Sequence, residues 1–320
     1  MAIKLRFRKS AQTGKLISNQ RIKSLLFFLC WISFHGATAQ TLDSITRRDI
    51  TFTSEGVLLA GTIFSPSQPQ AAIVLVHGSG QEKRMNRFAE RVAAHGITVL
   101  TYDKRGVGAS GGIYAGPEVG SNNVDSANLS LLAKDASAAV NKLQEVAQHL
   151  PIGLIGFSQA GWIIPIAATQ NPYVAYMVLF SGPTITSLEQ LRFQFHTNGD
   201  PNYWENHSEA EALEHIQNDP DRFQFTATDP KHSLTYLAIP GLWLYGAKDI
   251  QVPAQLCIEQ LNRLKEKGKP FEYHLYPNLG HNTAYSSDET PFEDAMLWIK
   301  QRALEHKKST NPNKDSYPKR

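Results

Sequence analysis

Three side chains of the types that carry acyl transfer stand just past apolar runs: Ser158 in "IGLIGFSQAGW", Asp249 in "GLWLYGAKDIQVP" and His281 in "YHLYPNLGHNTA". A serine hydroxyl is a poor nucleophile until a neighbouring base takes its proton and a third group orients that base. Gly156, Phe157, Ser158 and Gln159 match the first four places of the nucleophile-elbow pattern G-x-S-x-G, with Ala160 in the fifth and Gly161 one place late. The tight turn needs small flanks so that strand and helix can pass closely, and Ala160 meets that need with one added methyl. Such a pattern with a small fifth residue arises by chance roughly 0.2 times in a chain of this length, so Ser158 gains weight only from its companions.

Those companions depend on the elements that carry them. "DITFTSEGVLLAGTIFS" reads as two β-rich runs hinged at "SEG". "AAIVLVHGSG" is a buried strand ending in glycines, Phe88 to Ala94 have helical spacing, and "ITVLTYD" is another buried strand. Leu132, Ala136, Val140, Leu143, Ala147 and Leu150 then recur at three- and four-residue steps and predict a long helix. Strand "IGLIGFS", helix "AGWIIPIAATQ" and strand "YVAYMVLFSG" follow. The alternation resumes with strand "GLWLYGAKD", a helix around Leu256–Leu264, strand "FEYHLYPNLGH" and a helix near Phe292–Ala303. Alternating strands and helices predict an α/β fold, a mostly parallel sheet covered on both faces. In such a sheet the loops at the carboxyl ends of the strands share one edge. Ser158, Asp249 and His281 each fall in a loop of that kind.

Acyl transfer also needs donors for the oxyanion. The Gln159 N–H, next to the nucleophile at a helix start, is one; the second is expected from the glycine loop after "IVLVHGSG", at Ser79 or else Gly78. Glu259 and Asp288 are weaker substitutes for the acid, and His274, inside a strand, is expected to pack rather than react. His77 is expected to shape the oxyanion loop through hydrogen bonding. "GVGASG" (Gly106 to Gly111) has the form G-x-G-x-x-G, but "GIYAGPEVGSNN" follows it and cannot open the helix that a dinucleotide needs. Asp103, Lys104 and Arg105 in that loop read as pins for the turn, with Arg105 open to an acidic substrate. No histidine or cysteine cluster has metal-ligand spacing, so neither a metal nor another cofactor is expected.

Taken together, "VLVHGSG", "YDKRGVGASGG", "GFSQAGW", "WLYGAKDIQVP" and "YPNLGH" resemble an α/β-hydrolase of the dienelactone-hydrolase and prolyl-oligopeptidase-like branch, from Asp49 to about Ala303. The order Ser158, Asp249, His281 is the order of nucleophile, acid and histidine in that family. The resemblance implies an α/β-hydrolase fold, with an eight-strand sheet and a helical cap inserted after the sixth strand. The segment 184–236 falls there, and its Phe193, Phe195, Tyr203, Trp204, Phe223 and Phe225 either line an acyl pocket or form the cap's own core. About ten residues separate Ala39 from the first strand, too few for the propeller of prolyl oligopeptidases. That favours esters or thioesters over peptides.

Residues 1–39 differ from the rest. They hold seven basic residues (Lys4, Arg6, Arg8, Lys9, Lys15, Arg21, Lys23), no acid, the run "LLFFLCWISF" and an A-x-A site at Ala37-Thr38-Ala39. They read as a signal peptide, with a run too short to span a bilayer, and predict a secreted or periplasmic protein without stable membrane insertion after cleavage. The whole chain carries 32 basic and 29 acidic residues. Beyond Ala39 the balance is 25 basic against 29 acidic, a net −4, which offers no nucleic-acid surface. Cys257 would then be alone, without an internal disulfide. The expected domain is 40–305, followed by a disordered polar tail, 306–320. The expected activity is that of an exported serine hydrolase cleaving small-molecule carboxylic esters through Ser158. A thioesterase, a peptidase or amidase, and a non-catalytic binding protein are the alternatives; the residues do not indicate an oligomeric state.

Overall fold

The structure is a computed structural model that describes residues 44–117, 120–220 and 223–310. The expected signal peptide and the last ten residues of the expected tail lie outside the described residues.

The chain opens with a hairpin of β1 (Thr46–Ser54) and β2 (Val57–Ser65). Glu55 and Gly56 both have positive φ, 48° and 73°, the two-residue turn whose twist matches that of the strands it joins. Next come β3 (Ala71–Val76), α1 (Asn86–Ala93), β4 (Ile97–Tyr102), the single turn α2 (Ser121–Val124), α3 (Ser126–Gln144), β5 (Ile152–Phe157), α4 (Ala160–Gln170) and β6 (Val174–Phe180). The cap follows as α5 (Ser187–Thr197), α6 (Tyr203–Asn206), α7 (Glu209–Asn218) and α8 (Pro230–Tyr236). The chain returns to the sheet with β7 (Gly241–Gly246), α9 (Ala254–Glu266), β8 (Phe271–Tyr276), a 3₁₀ turn at Thr283–Tyr285 and α10 (Thr290–Thr310).

The eight strands form one sheet in the order β1-β2-β4-β3-β5-β6-β7-β8. β2 is antiparallel to β1 and β4, and every pairing from β4 to β8 is parallel. This is the α/β-hydrolase fold expected. β3, β4, β5 and β7 are buried along their whole length, which is why they read as unbroken apolar runs rather than alternating ones. One face is covered by α3, α4 and α9 through Leu129, Val140, Ile163 and Leu261, and the other by α1 and α10 through Phe88, Val92, Phe292 and Ile299. Among the described residues no helix is long and apolar enough to cross a membrane.

Two helix ends differ from expectation, and the packing of the cap aromatics resolves an alternative left open by the sequence. α3 stops at Gln144, and Ala147 and Leu150 follow in turns; Pro151 disfavours helical backbone at Leu150, the last residue of the expected helix. α10 runs to Thr310, through residues expected to begin a disordered tail; Arg302 pairs with Glu305 at 2.9 Å, and Lys307 and Lys308 complement the helix dipole in the last turn. The cap aromatics divide: Phe193 and Tyr203 pack with Ala212 and Ile216 as the cap's own core, while Phe223 and Phe225 pack on the main core.

Candidate active site

The apolar strand β5 ends at Phe157 and α4 begins at Ala160, so the chain must reverse within two residues. Ser158 takes that turn with φ at 47°, in the left-handed region that costs a non-glycine residue about 1–3 kcal/mol and recurs at active sites. Its N–H is tied to the Phe180 carbonyl at 2.9 Å. The small flanks are required sterically. A Cβ on Gly156 would stand 2.4 Å from the Ala160 methyl, and one on Gly161 2.5 Å from Pro183 Cδ. Ala160 therefore fits because Gly156 lies beneath it.

Asp249, fully buried, follows β7 and accepts the N–H groups of Gln251 (2.7 Å) and Val252 (2.9 Å) on Oδ1. Its Oδ2 lies 2.8 Å from His281 Nδ1. The loops carrying these two side chains are joined by backbone bonds from Ala247 N–H to the Tyr276 carbonyl (2.9 Å) and from Lys248 N–H to the Leu279 carbonyl (2.8 Å). The sequence did not single out Ser181, which has φ 50° and whose hydroxyl donates to the His281 carbonyl at 2.6 Å. With its Nδ1 held by a carboxylate, the His281 imidazole is left with Nε2 to exchange a proton in the pocket. His281 and Ser158 both line a pocket of about 260 Å³. The substitutes considered for these roles lie elsewhere: His274 pairs with Asp294 at 2.9 Å on the sheet edge, Glu259 lies opposite Arg263 on α9, and Asp288 accepts from Thr290.

Gly78 and Ser79 line the same pocket beside Ser158, and Gln159 is the N-cap of α4, where no earlier turn of helix offers its N–H an acceptor. The side chains of Ser79 and Gln159 meet on one acceptor, Asn123 Oδ1, from Ser79 Oγ at 3.3 Å and from Gln159 Nε2. Lys104, only 2% exposed, donates from Nζ to the carbonyls of Gly78 and Gly80 (3.1 Å) and to Gln159 Oε1 (3.3 Å). Asn123 carried no sequence signal, since it stands in a single helical turn inside an irregular stretch. Lys104 was legible only as a turn pin. His77 is buried edge-to-face against Tyr102, and burial first, then the Lys104 charge, lower its pKa to about 3; it is therefore neutral at neutral pH.

The structure settles the other residues of that loop. Asp103 holds Arg84 in a two-pronged pair and accepts the Ala109 N–H at 2.9 Å. Arg105 is buried on Asp135, with Nε 3.0 Å from Oδ2, and also donates to the Ser54 carbonyl at 3.1 Å. An Arg105 contact with an acidic substrate is thus corrected: the guanidinium faces inward and does not line the pocket. The Gly106 N–H bonds the Gly111 carbonyl at 2.8 Å, closing a loop rather than opening a helix.

The cap contributes Gln190, Leu191 and Gln194 of α5 to the pocket, and none of the six aromatics named from the sequence. Opposite stand Phe157, Phe180 and Tyr285. Burial and, second, the Glu82 charge push the Tyr285 phenol up to about 12, so it stays protonated at neutral pH. Among the described residues no group of three or more His, Cys, Asp and Glu is placed to hold a metal ion.

A family model described as "Serine aminopeptidase, S33" matches residues 67–288, which hold β3 through the histidine loop. The chain belongs to that family. It is an α/β-hydrolase superfamily serine hydrolase. A monoacylglycerol lipase of Mycolicibacterium smegmatis is 27% identical over 147 residues, covering 45% of this chain and 49% of the lipase. A polyketide transferase of a Penicillium species is 37% identical over 75 residues, 22% of this chain and 26% of that protein. The chain thus spans half or less of the curated relatives it matches. Among solved structures, an esterase of Pyrococcus furiosus superposes with a TM-score of 0.58 at 17% identity, covering 82% of this chain and 91% of the esterase, which is a likeness of fold.

Proposed function

We propose that this protein hydrolyses small carboxylic esters through an acyl-enzyme on Ser158. The observation that carries the reading is the fully buried Asp249 carboxylate on His281 Nδ1, in a pocket shared with a serine strained into the left-handed region. His281 Nε2 takes the Ser158 proton as Oγ attacks the ester carbonyl carbon. The imidazolium is stabilised by Asp249, and the carbonyl oxygen gathers charge toward the N–H groups of Gln159 and Ser79. Collapse breaks the bond to the alcohol oxygen, which receives the proton from Nε2. Water then repeats the sequence on the acyl-enzyme, releasing the acid and restoring Ser158. Every group needed is an ordinary side chain or backbone amide, so the reading involves no cofactor.

Ester over amide rests on the names of the relatives, a lipase and an esterase among them. The family's own description favours a second reading, cleavage of an aminoacyl amide. A fluorophosphonate probe tests the common part: Ser158 should label in the folded protein, and absence of label would sink both readings. Nitrophenyl esters from acetyl to decanoyl, run beside aminoacyl anilides with Ser158→Ala as blank, separate the two. Anilide turnover with negligible ester turnover would overturn the ester. The basic lead, short apolar run and A-x-A site of residues 1–39 support export to a secreted or periplasmic location.

A further inference from the structure

We propose that Lys104 is the positioning residue of the oxyanion site: its buried ammonium sets the direction of the Ser79 N–H and ties that donor to the elbow. The inference rests on the hydrolase reading above. The peptide joining Gly78 to Ser79 is trans and planar, so its carbonyl and its N–H point in opposite directions. Lys104 Nζ holds that carbonyl, which turns the Ser79 N–H to the side away from the ammonium. A charge-assisted bond on the carbonyl also withdraws electrons from the same amide, making its N–H a stronger donor. Between the two candidate donors in this loop, the geometry favours Ser79 over Gly78.

The same ammonium reaches the Gly80 carbonyl at 3.1 Å and Gln159 Oε1 at 3.3 Å. Gln159 Nε2 donates to the Asn123 carbonyl at 3.0 Å and to Asn123 Oδ1, which Ser79 Oγ also reaches at 3.3 Å. Lys104, the Gly78–Ser79 peptide, Asn123 and Gln159 therefore close a ring of hydrogen bonds. Its members come from the loops after β3 and β4, from α2 and from the elbow; the Ser79 N–H lies on it, and Gln159, whose side chain closes it, carries the other backbone N–H. The ring thus couples the Ser79 N–H to the residue that carries the second donor, through side chains from three loops. The Lys104 ammonium has three N–H bonds to offer; two ring oxygens, the Gly78 carbonyl and Gln159 Oε1, and the neighbouring Gly80 carbonyl accept from it.

This predicts a loss confined to states with an oxyanion. Lys104→Gln, which keeps a neutral donor, should lower kcat on nitrophenyl acetate roughly tenfold to a hundredfold, somewhat less than removing a whole oxyanion donor, with KM within about threefold. Affinity for an alkylboronic acid, whose adduct on Ser158 is tetrahedral, should weaken by a matching factor. A loss that disappears once activity is scaled to the fraction of Ser158 that fluorophosphonate can label would mark a merely structural lysine and overturn the proposal. If the variant does not fold, the unaltered protein still answers. Its Lys104 ammonium should give a slowly exchanging ¹⁵N resonance that shifts when the boronate adduct forms, and an unmoved resonance overturns the proposal. Failure of the wild-type Ser158 to label would remove the hydrolase reading and this inference with it. Normal labelling with unchanged kcat and boronate affinity in Lys104→Gln would remove this inference alone.

Discussion

Replacing Asp249 by asparagine removes a charge and almost no volume, and the surrounding hydrogen bonds decide how the new amide must sit. Oδ1 accepts two backbone N–H groups, from Gln251 at 2.7 Å and Val252 at 2.9 Å. An amino group there would face two donors, leaving each buried and unsatisfied at about 1–3 kcal/mol apiece. The amide oxygen therefore stays on that side and the amino group lands on the other, 2.8 Å from His281 Nδ1. Nδ1 must then accept, so the ring proton moves to Nε2, the nitrogen that has to take the serine proton. The imidazole is held in the wrong tautomer within an unchanged pocket. In triads of this design that error costs about 10⁴ in kcat, which is about 5.4 kcal/mol of barrier. Stability should change little, because both backbone N–H groups keep their acceptor. Asp249→Ala offers a contrast, since it frees those two donors and should lower the melting temperature as well as the rate. The assay is ester hydrolysis beside thermal unfolding for both variants. An Asp249→Asn protein within tenfold of the wild-type kcat, with an intact melt, would refute the assignment of Asp249 as the group that orients His281.

Two further outcomes follow from burial and steric fit. His77 has its pKa lowered to about 3 in the fold, against 6.5 unfolded, with burial the main cause. Between about pH 6.5 and pH 3 the unfolded chain thus holds a proton that the folded chain lacks. Stability should be lost as pH falls through that window, at up to about 1.4 kcal/mol per unit, and be insensitive to this ring above it; urea midpoints for wild type and His77→Phe should diverge in slope there, and parallel slopes would contradict it. Gly161→Ala places a methyl 2.5 Å from Pro183 N and Cδ, atoms with no freedom to withdraw, and should cost about 1–3 kcal/mol and reduce fluorophosphonate labelling. Ala160→Gly, which only removes a methyl at the helix start, should cost no more than about 1 kcal/mol, and the reverse ranking in thermal melts would refute the packing argument.

The catalytic candidates were legible because each follows a strand, Ser158 and Asp249 after wholly buried apolar ones and His281 after the more polar, partly exposed β8. Unbroken runs such as "IGLIGF" and "GLWLYG" announce strands buried on both faces, and the residues just beyond their carboxyl ends share one edge whatever the detailed packing. Ser158, Asp249 and His281 could therefore be placed together across more than a hundred residues. What the pattern does not carry is any arrangement made by segments with no period of their own. Asn123 lies in a four-residue helix, and its meeting with Gln159 and Ser79 exists only once three loops have packed. Lys104 looked like one of three charged turn residues. That Arg105 turns inward onto Asp135 while Lys104 turns toward the oxyanion loop depends on side-chain direction at adjacent positions of an irregular turn. The cap posed the same difficulty: its aromatics were visible, but α5 offers the pocket Gln190, Leu191 and Gln194, a face that composition does not reveal.

The cap's attachment also bears on how this site could change its substrate. Three cap side chains bond the backbone of the acid loop: Trp204 Nε1 to the Asp249 carbonyl at 2.8 Å, Thr197 Oγ1 to the Ile250 carbonyl at 2.6 Å, and Gln190 Nε2 to the Gln251 carbonyl at 2.8 Å. The same short stretch supplies the N–H groups that hold Asp249 Oδ1. The pocket wall and the acid are therefore braced on one strip of backbone. Gln190 belongs to both, since it lines the pocket and bonds the strip. A change at Gln190 made to reshape the pocket alters the support of Asp249 at the same time. Leu191 lines the pocket without a bond to this strip among those described and leaves the brace in place, whereas Gln194 Oε1 accepts from Gln190 Nε2 at 3.0 Å and so supports one of its members. Pocket shape and the support of Asp249 are thus separable at Leu191 and coupled at Gln190, and through it at Gln194, by the backbone that carries Asp249.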